Sequence, residues 1–285
     1  MLCKYNTIVE RKFKIHQLRQ VTTSKIILLL IFTVLFFVII AGCKPKLQSK
    51  ETENTDLIVY CENGILGPVM EFVQAFEDST HLNVSIQNDC ARNLINLIHY
   101  RREADIFIPD SREAINNILL ASPELILDSV YLGNQTLVFI IPRGNPSRLT
   151  GSLNSLTNPK NGIILANPES STLGYTSGIL LKKHKLYDQV MNSVLFLTTD
   201  SRSLIRDIAS EQASIAIVWE SDYLTNSIRK QVDTLAIQAS FKSFQTLAVT
   251  LNSGNNKKNA LQFLESLKQE ESRKIFEKYG ITKSL

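Results

Sequence analysis

Histidine and cysteine are scarce in this sequence: four of each among 285 residues, beside a single tryptophan. None of His16, His81, His99 and His184 sits at the C-terminal end of a predicted strand, so a Ser-His-Asp or Cys-His centre has no well-placed base. Gly-Xaa-Ser-Xaa-Gly, a phosphate loop ending in Gly-Lys-Ser/Thr and His-Glu-Xaa-Xaa-His are all missing. Glu220 and Asp222 suggest a carboxylate pair for glycoside hydrolysis. They lie two apart on one segment, however, with no sugar platform evident beyond Trp219. The sequence therefore reads as a non-enzyme without a cofactor or a resident metal.

A net excess of charge of one sign is nearly missing from most of the chain. In residues 1–42 six cations (Lys4, Arg11, Lys12, Lys14, Arg19 and Lys25) face one acid, Glu10, a net charge of +5. The whole chain carries +4, which leaves −1 for the other 243 residues. Phosphate backbones are held by clustered Lys and Arg, so nucleic acid is excluded as a partner. Apolar residues at 44% and charged residues at 20% lie near the globular average, which excludes collagen-like and wholly disordered chains. The length allows about two domains, and no repeat of about 20–50 residues is visible.

A membrane-spanning run is short as well. Ile26 to Ile40 is apolar except for Thr33, and fifteen residues reach only ~22 Å against a hydrocarbon core of ~30 Å. A basic stretch, a short apolar stretch and the ending Ala41-Gly42-Cys43 describe a secretory signal over residues 1–42. The segment resembles a bacterial lipoprotein signal, which implies lipid on Cys43 and a protein tethered outside the cytoplasmic membrane. A retained anchor over residues 26–42 is the alternative. Residues 43–55 read as a polar tether. Cys61 and Cys90 then remain, in an oxidising setting, as a candidate disulfide or a pair of thiols facing a ligand.

Strand-like and helix-like patterns alternate along the body. Leu57–Tyr60, Val84–Ile86, Ile106–Ile108, Val138–Ile141, Ile163–Leu165, Val194–Leu197, Ile215–Val218 and Thr246–Leu251 read as strands. Val69, Phe72, Val73 and Phe76 mark a helix stripe, as do Leu94, Ile95, Leu97 and Ile98. Further helices are predicted over Thr176–Lys185, over Ser203–Ser210 and from Ala260 to the C-cap at Gly280. Such alternation predicts a parallel sheet flanked by helices, in two α/β halves around a cleft, with ligand beyond the strand C-termini. The loops there are Cys61–Gly64, Asn88–Arg92, Asn167–Tyr175 and Trp219–Asp222. Each leads into a helix, whose free N–H groups favour an anion.

Ala104–Ile108, Gly133–Val138 with Pro142–Pro146, Asn167–Tyr175 and Ile275–Gly280 together resemble the molybdate/tungstate-binding family among solute-binding lipoproteins of ABC importers. The resemblance covers roughly 56 to 281. It implies a type II periplasmic-binding-protein fold with two hinge strands, a first lobe of 56–135 plus 246–285 and a second of 136–245. It implies capture of a small oxyanion by a monomer and its delivery to a permease. Carried over residue by residue, it places the family's hydroxyl donors on Gly64, beside Asn63, and on Cys90 or Ala91. It places further ligand positions on Ser171, Ser201, Trp219 and Glu220. Gly64 and Cys90 lack the hydroxyl.

Other readings stay open. Arg92 is either an oxyanion clamp or a solvated helix residue. Cys61, Cys90 and Glu220 are a candidate set for a soft metal. An organic anion, or a sensor domain that does not transport, are further alternatives.

Overall fold

In the computed structural model, which describes residues 55–199 and 201–283, the first apolar run forms β1 (Leu57–Glu62). It pairs in parallel with β2 (Val84–Asp89) on one side and β3 (Ile106–Ile108) on the other. β1 runs two residues past its predicted end because Cys61 and Glu62 are buried and continue the ladder opposite Asn88 and Asp89. Helices α1 (Leu66–Thr80), α2 (Ala91–Tyr100) and α3 (Arg112–Ala121) follow the three strands. The α1 stripe is as expected: Val69, Phe72, Val73 and Phe76 are buried. His81 ends that helix in the left-handed region at φ 60°.

The predicted strand at Val138 is the tail of a longer one. β4 spans Ile126–Pro142, 17 residues, and its first part pairs antiparallel with β9 (Ser243–Leu251) up to Thr136 opposite Ser243. The polar residues Asp128, Ser129 and Asn134 mask this part of the strand in sequence. Its later part pairs antiparallel with β7 (Ile215–Trp219) and β8 (Val232–Ala236). β5 (Ile163–Ala166) lies parallel between β7 and β6 (Val194–Thr198). The spatial order is β2-β1-β3-β9-β4-β7-β5-β6 with β8 on β4. The sheet is therefore mixed rather than wholly parallel, because the returning strand β9 runs against both β3 and β4.

The remaining helices are α4 (Thr172–Lys183), α5 (Tyr187–Met191), α6 (Ser201–Ala209), α7 (Glu220–Thr225), α8 (Lys257–Leu267) and α9 (Glu270–Lys278). α4 begins four residues before its predicted start because the Ser171 hydroxyl accepts from the Gly174 N–H and caps it. β8 and α5 escaped the sequence reading.

Buried apolar residues divide at β4. Leu137 to Phe244 form one cluster; the others lie on the two faces of the β1–β3 region. Among the described strands, β4 and β9 contribute to both parts: Val130 and Ala248 to the first, Leu137 and Phe244 to the second. In the first part Phe263 meets Phe72 and Phe76 edge-on at 5.0 and 5.1 Å. Such pairs add about 0.5–1.5 kcal/mol each beyond area burial. No described helix is long and apolar enough to cross a membrane. The signal segment, Cys43 and the tether up to residue 54 lie outside the described residues.

Candidate functional site

The three strand-to-helix loops of the first part and three of the second, after β5, β6 and β7, meet at one place. At its centre is Glu62, the last residue of β1, only 1% exposed. The Asp110 N–H donates to its Oε2 at 3.0 Å and the Thr172 N–H donates to its Oε1 at 2.9 Å. The Ala91 N–H is directed at the same carboxylate. Ala91 and Thr172 are the first residues of α2 and α4; Asp110 lies in the loop after β3. Helix N-termini carry unsatisfied N–H groups and a partial positive charge, so a carboxylate is held there. Burial pushes the Glu62 carboxyl up from its ordinary value, and hydrogen bonds from Thr172, Asp110 and Ala91 draw it back.

Two more carboxylates are buried beside it, Asp110 and Asp222, each 3% exposed. The Trp219 indole donates to Asp110 Oδ2, and the Ser201 hydroxyl donates to Asp222 Oδ1 at 2.9 Å. Burial pushes Asp110 well above the usual carboxylate range, with the charges of Glu62 and Asp222 adding to it. The Gln135 amide donates to the Asp110 carbonyl at 2.7 Å. The Ser221 hydroxyl lies 2.8 Å from the Gly64 carbonyl and within hydrogen-bond distance of Gln135 Oε1. The Trp219–Asp110 and Ser221–Gly64 contacts run between the parts of the sheet.

The space enclosed is small. Glu62, Asn63, Cys90, Asp110, Ser171, Leu173, Thr199 and Ser201 line a hollow of about 10 Å³, the room of one water. A larger crevice of about 210 Å³ opens alongside, lined by residues of α2 and α3 on one side and Pro168 to Tyr175 on the other. Arg92 reaches across that crevice. Its N–H donates to the Ser170 carbonyl at 3.1 Å and its Nε to the Glu169 carbonyl at 2.9 Å.

The structure brings Asn63, Cys90, Ser171 and Ser201 to the hollow, and Ala91 to the carboxylate within it. Gly64 and Trp219 sit together over Asp110: a Cβ on Gly64 would lie 2.7 Å from both Trp219 Cδ1 and Asp110 Oδ2. Glu220 does not take part. Its carboxylate packs at Gly280, where a Cβ would lie 3.0 Å from Oε2. The neighbours Ser221 and Asp222 face inward instead. A helix turns about 100° per residue, so Glu220 and Asp222 point to nearly opposite sides. That geometry also removes the proposed carboxylate pair.

Cys61 and Cys90 are both buried free thiols, not a bridge. Cys61 packs with Leu57, Val59 and Ile108 on one face of the sheet, whereas Cys90 precedes α2, whose Ala91, Leu94 and Ile98 cover the other. Burial raises both thiols above their ordinary value. Among the described residues no group of three His, Cys, Asp or Glu gathers to hold a metal, and Cys61, Cys90 and Glu220 are not brought together. Sequence reasoning did not assign Glu62, Asp110, Thr172 and Ser221 to the site. An acid ending an otherwise apolar strand was the available signal.

Comparison with known proteins agrees with this architecture. YvgL of Bacillus subtilis (strain 168), whose given name is that of an ABC transporter substrate-binding lipoprotein, is 23% identical over 248 residues, covering 86% of this chain and 94% of its own. The periplasmic molybdate-binding protein of Azotobacter vinelandii has a TM-score of 0.67 at 15% identity, over 80% of this chain and 100% of that one. Iron-bound HitA of Pseudomonas aeruginosa has a TM-score of 0.63 at 16% identity, over 78% and 83%. These likenesses carry the type II periplasmic-binding-protein fold and no particular ligand. The family description of bacterial extracellular solute-binding proteins matches residues 57–282, and the chain belongs to that family.

Proposed function

We propose that the protein captures a compact oxyanion outside the cytoplasmic membrane and delivers it to an ABC permease. The observation that carries this reading is the convergence of the Asp110, Thr172 and Ala91 N–H groups on one carboxylate between the two parts of the fold. A solute oxyanion presents the same acceptor atoms as that carboxylate. Ser171, Ser201, Asn63 and Cys90 line the adjoining hollow and would complete its surroundings. Molybdate and tungstate are the inorganic candidates, supported by the family resemblance. β4 and β9 serve as the hinge between lobes 56–135 plus 246–285 and 136–245. Lipid on Cys43 holds the monomer at the membrane. The name of the B. subtilis relative supports the permease partner and the anchor.

One observation favours an organic acid as a second reading. The crevice beside the carboxylate cradle is lined by Ile95, Ala114, Pro168 and Tyr175, which suit a carbon skeleton.

Thermal melting against molybdate, tungstate, sulfate, phosphate, simple organic acids and divalent metals tests both. A solute present at a hundred times its dissociation constant adds about 2.7 kcal/mol. Stabilisation by metals alone, with every anion silent, overturns the oxyanion reading.

A further inference from the structure

Glu62 occupies the donor set on which the proposed oxyanion site depends. Its two oxygens take the N–H groups of Asp110 and Thr172, at 3.0 and 2.9 Å, and the Ala91 N–H points at the same group. Thr172 lies 110 positions away in sequence, on the other part of the fold. The carboxylate therefore does two things at once: it satisfies the N-termini of α2 and α4, and it ties β1 to α4. A backbone N–H donates one hydrogen bond well, so it serves either Glu62 or a solute oxygen. Charge gives the same answer. With Asp110 and Asp222 buried alongside, a solute anion added next to Glu62 would sit among three carboxyl groups, with no Lys or Arg among the described residues that line the hollow. An anion enters this cradle only if Glu62 leaves it.

We propose that Glu62 is a tethered internal competitor, the residue that sets which anions the cleft accepts and how tightly. This inference rests on the oxyanion reading and deepens it. An anion that makes fewer or poorer hydrogen bonds than a carboxylate fails to displace Glu62. One that matches all three donors succeeds, and its observed affinity is reduced by the fraction of protein in which Glu62 holds the cradle. Neutralising Glu62 removes the competitor. In Glu62→Gln the side-chain oxygen still accepts one N–H, while the NH₂ meets the other donor and cannot accept. In Glu62→Asp the charge stays, but the side chain is one methylene shorter and no longer spans from Asp110 to Thr172.

The test is melting and calorimetric titration of wild type, Glu62→Gln, Glu62→Asp and Glu62→Ala with formate, inorganic phosphate and molybdate. Formate is the free counterpart of the Glu62 head group. The expected result is that formate stabilises Glu62→Ala saturably at concentrations at least tenfold below any effect on wild type. Molybdate or phosphate should bind Glu62→Gln at least tenfold more tightly than wild type. Glu62→Asp, which keeps the charge and guards against loss of folding in the others, should show the same change in lesser degree. Unchanged or weaker anion binding in folded variants, with wild type binding normally, overturns the competitor role and leaves the oxyanion reading intact. Silence toward all three anions in wild type and every variant overturns both.

Discussion

The indole N–H of Trp219 donates to Oδ2 of Asp110 at 3.1 Å, joining the end of β7 to the loop after β3. Both residues are buried, so the bond is shielded from water. Replacing Trp219 by Phe removes the donor and strips a hydrogen bond from a buried carboxyl group. That costs about 1–3 kcal/mol on top of lost packing. Chemical denaturation of Trp219→Phe beside wild type measures it. A midpoint unchanged from wild type contradicts the contact.

Asp110 also makes stability depend on pH. Burial, then the charges of Glu62 and Asp222, push its carboxyl well above the usual range. In the unfolded chain it releases its proton near about 3.9. The folded protein thus holds a proton that the unfolded chain has lost. The stability linked to this group is complete below that value and falls as pH rises toward the folded value. Melting temperatures of Asp110→Asn should decline less between pH 4 and pH 7 than those of wild type. Parallel curves for the two proteins reject the shift.

Gly64 and Gly67 are close-approach positions. A Cβ on Gly64 would lie 2.7 Å from Trp219 Cδ1, and one on Gly67 would lie 2.1 Å from Thr225 Cγ2. Both clashes fall between the α1 start and the β7–α7 segment. Gly64→Ala and Gly67→Ala should each cost about 1–3 kcal/mol by overpacking. They should also keep the two parts further apart, seen as a larger radius of gyration in solution scattering. Radii equal to wild type argue against that.

Glu220→Ala should leave anion titrations within twofold of wild type, because its carboxylate packs at Gly280. A tenfold loss returns Glu220 to the binding machinery.

Cys61 and Cys90 should both be alkylated in protein unfolded without reductant, since each is a free thiol in the structure. Mass spectrometry of the two peptides decides it. A linked peptide pair restores the disulfide.

Much of the scaffold was legible because burial leaves a period. The α1 stripe at Val69, Phe72, Val73 and Phe76 and the runs at Ile106 and Ile215 named their elements. The first part of β4 was not, since Asp128, Ser129 and Asn134 interrupt its apolar pattern and Gly133 adjoins a break in register. At the site, Ser171 and Ser201 came from the family resemblance and not from pattern, since the predicted helices began later, at Thr176 and Ser203. Glu220 came from the family resemblance, which does not fix helical phase; the structure packs its carboxylate at Gly280, while Ser221 and Asp222 face the other way. Glu62 lay inside the candidate loop Cys61–Gly64 but was not named as a ligand position. Its meaning comes from Thr172, a partner far along the chain.

The tail of the chain is clipped to the strand that passes between the two parts. The Asn134 N–H donates to the Thr282 carbonyl at 2.7 Å, and Thr282 returns the bond to the Asn134 carbonyl. Gly133 leaves room for Ile281 at the same point. A dye or reporter domain fused just beyond would thus be wired mechanically to the crossing strand. That makes the carboxyl end a natural place to build an optical sensor, and a poor place for a purification handle.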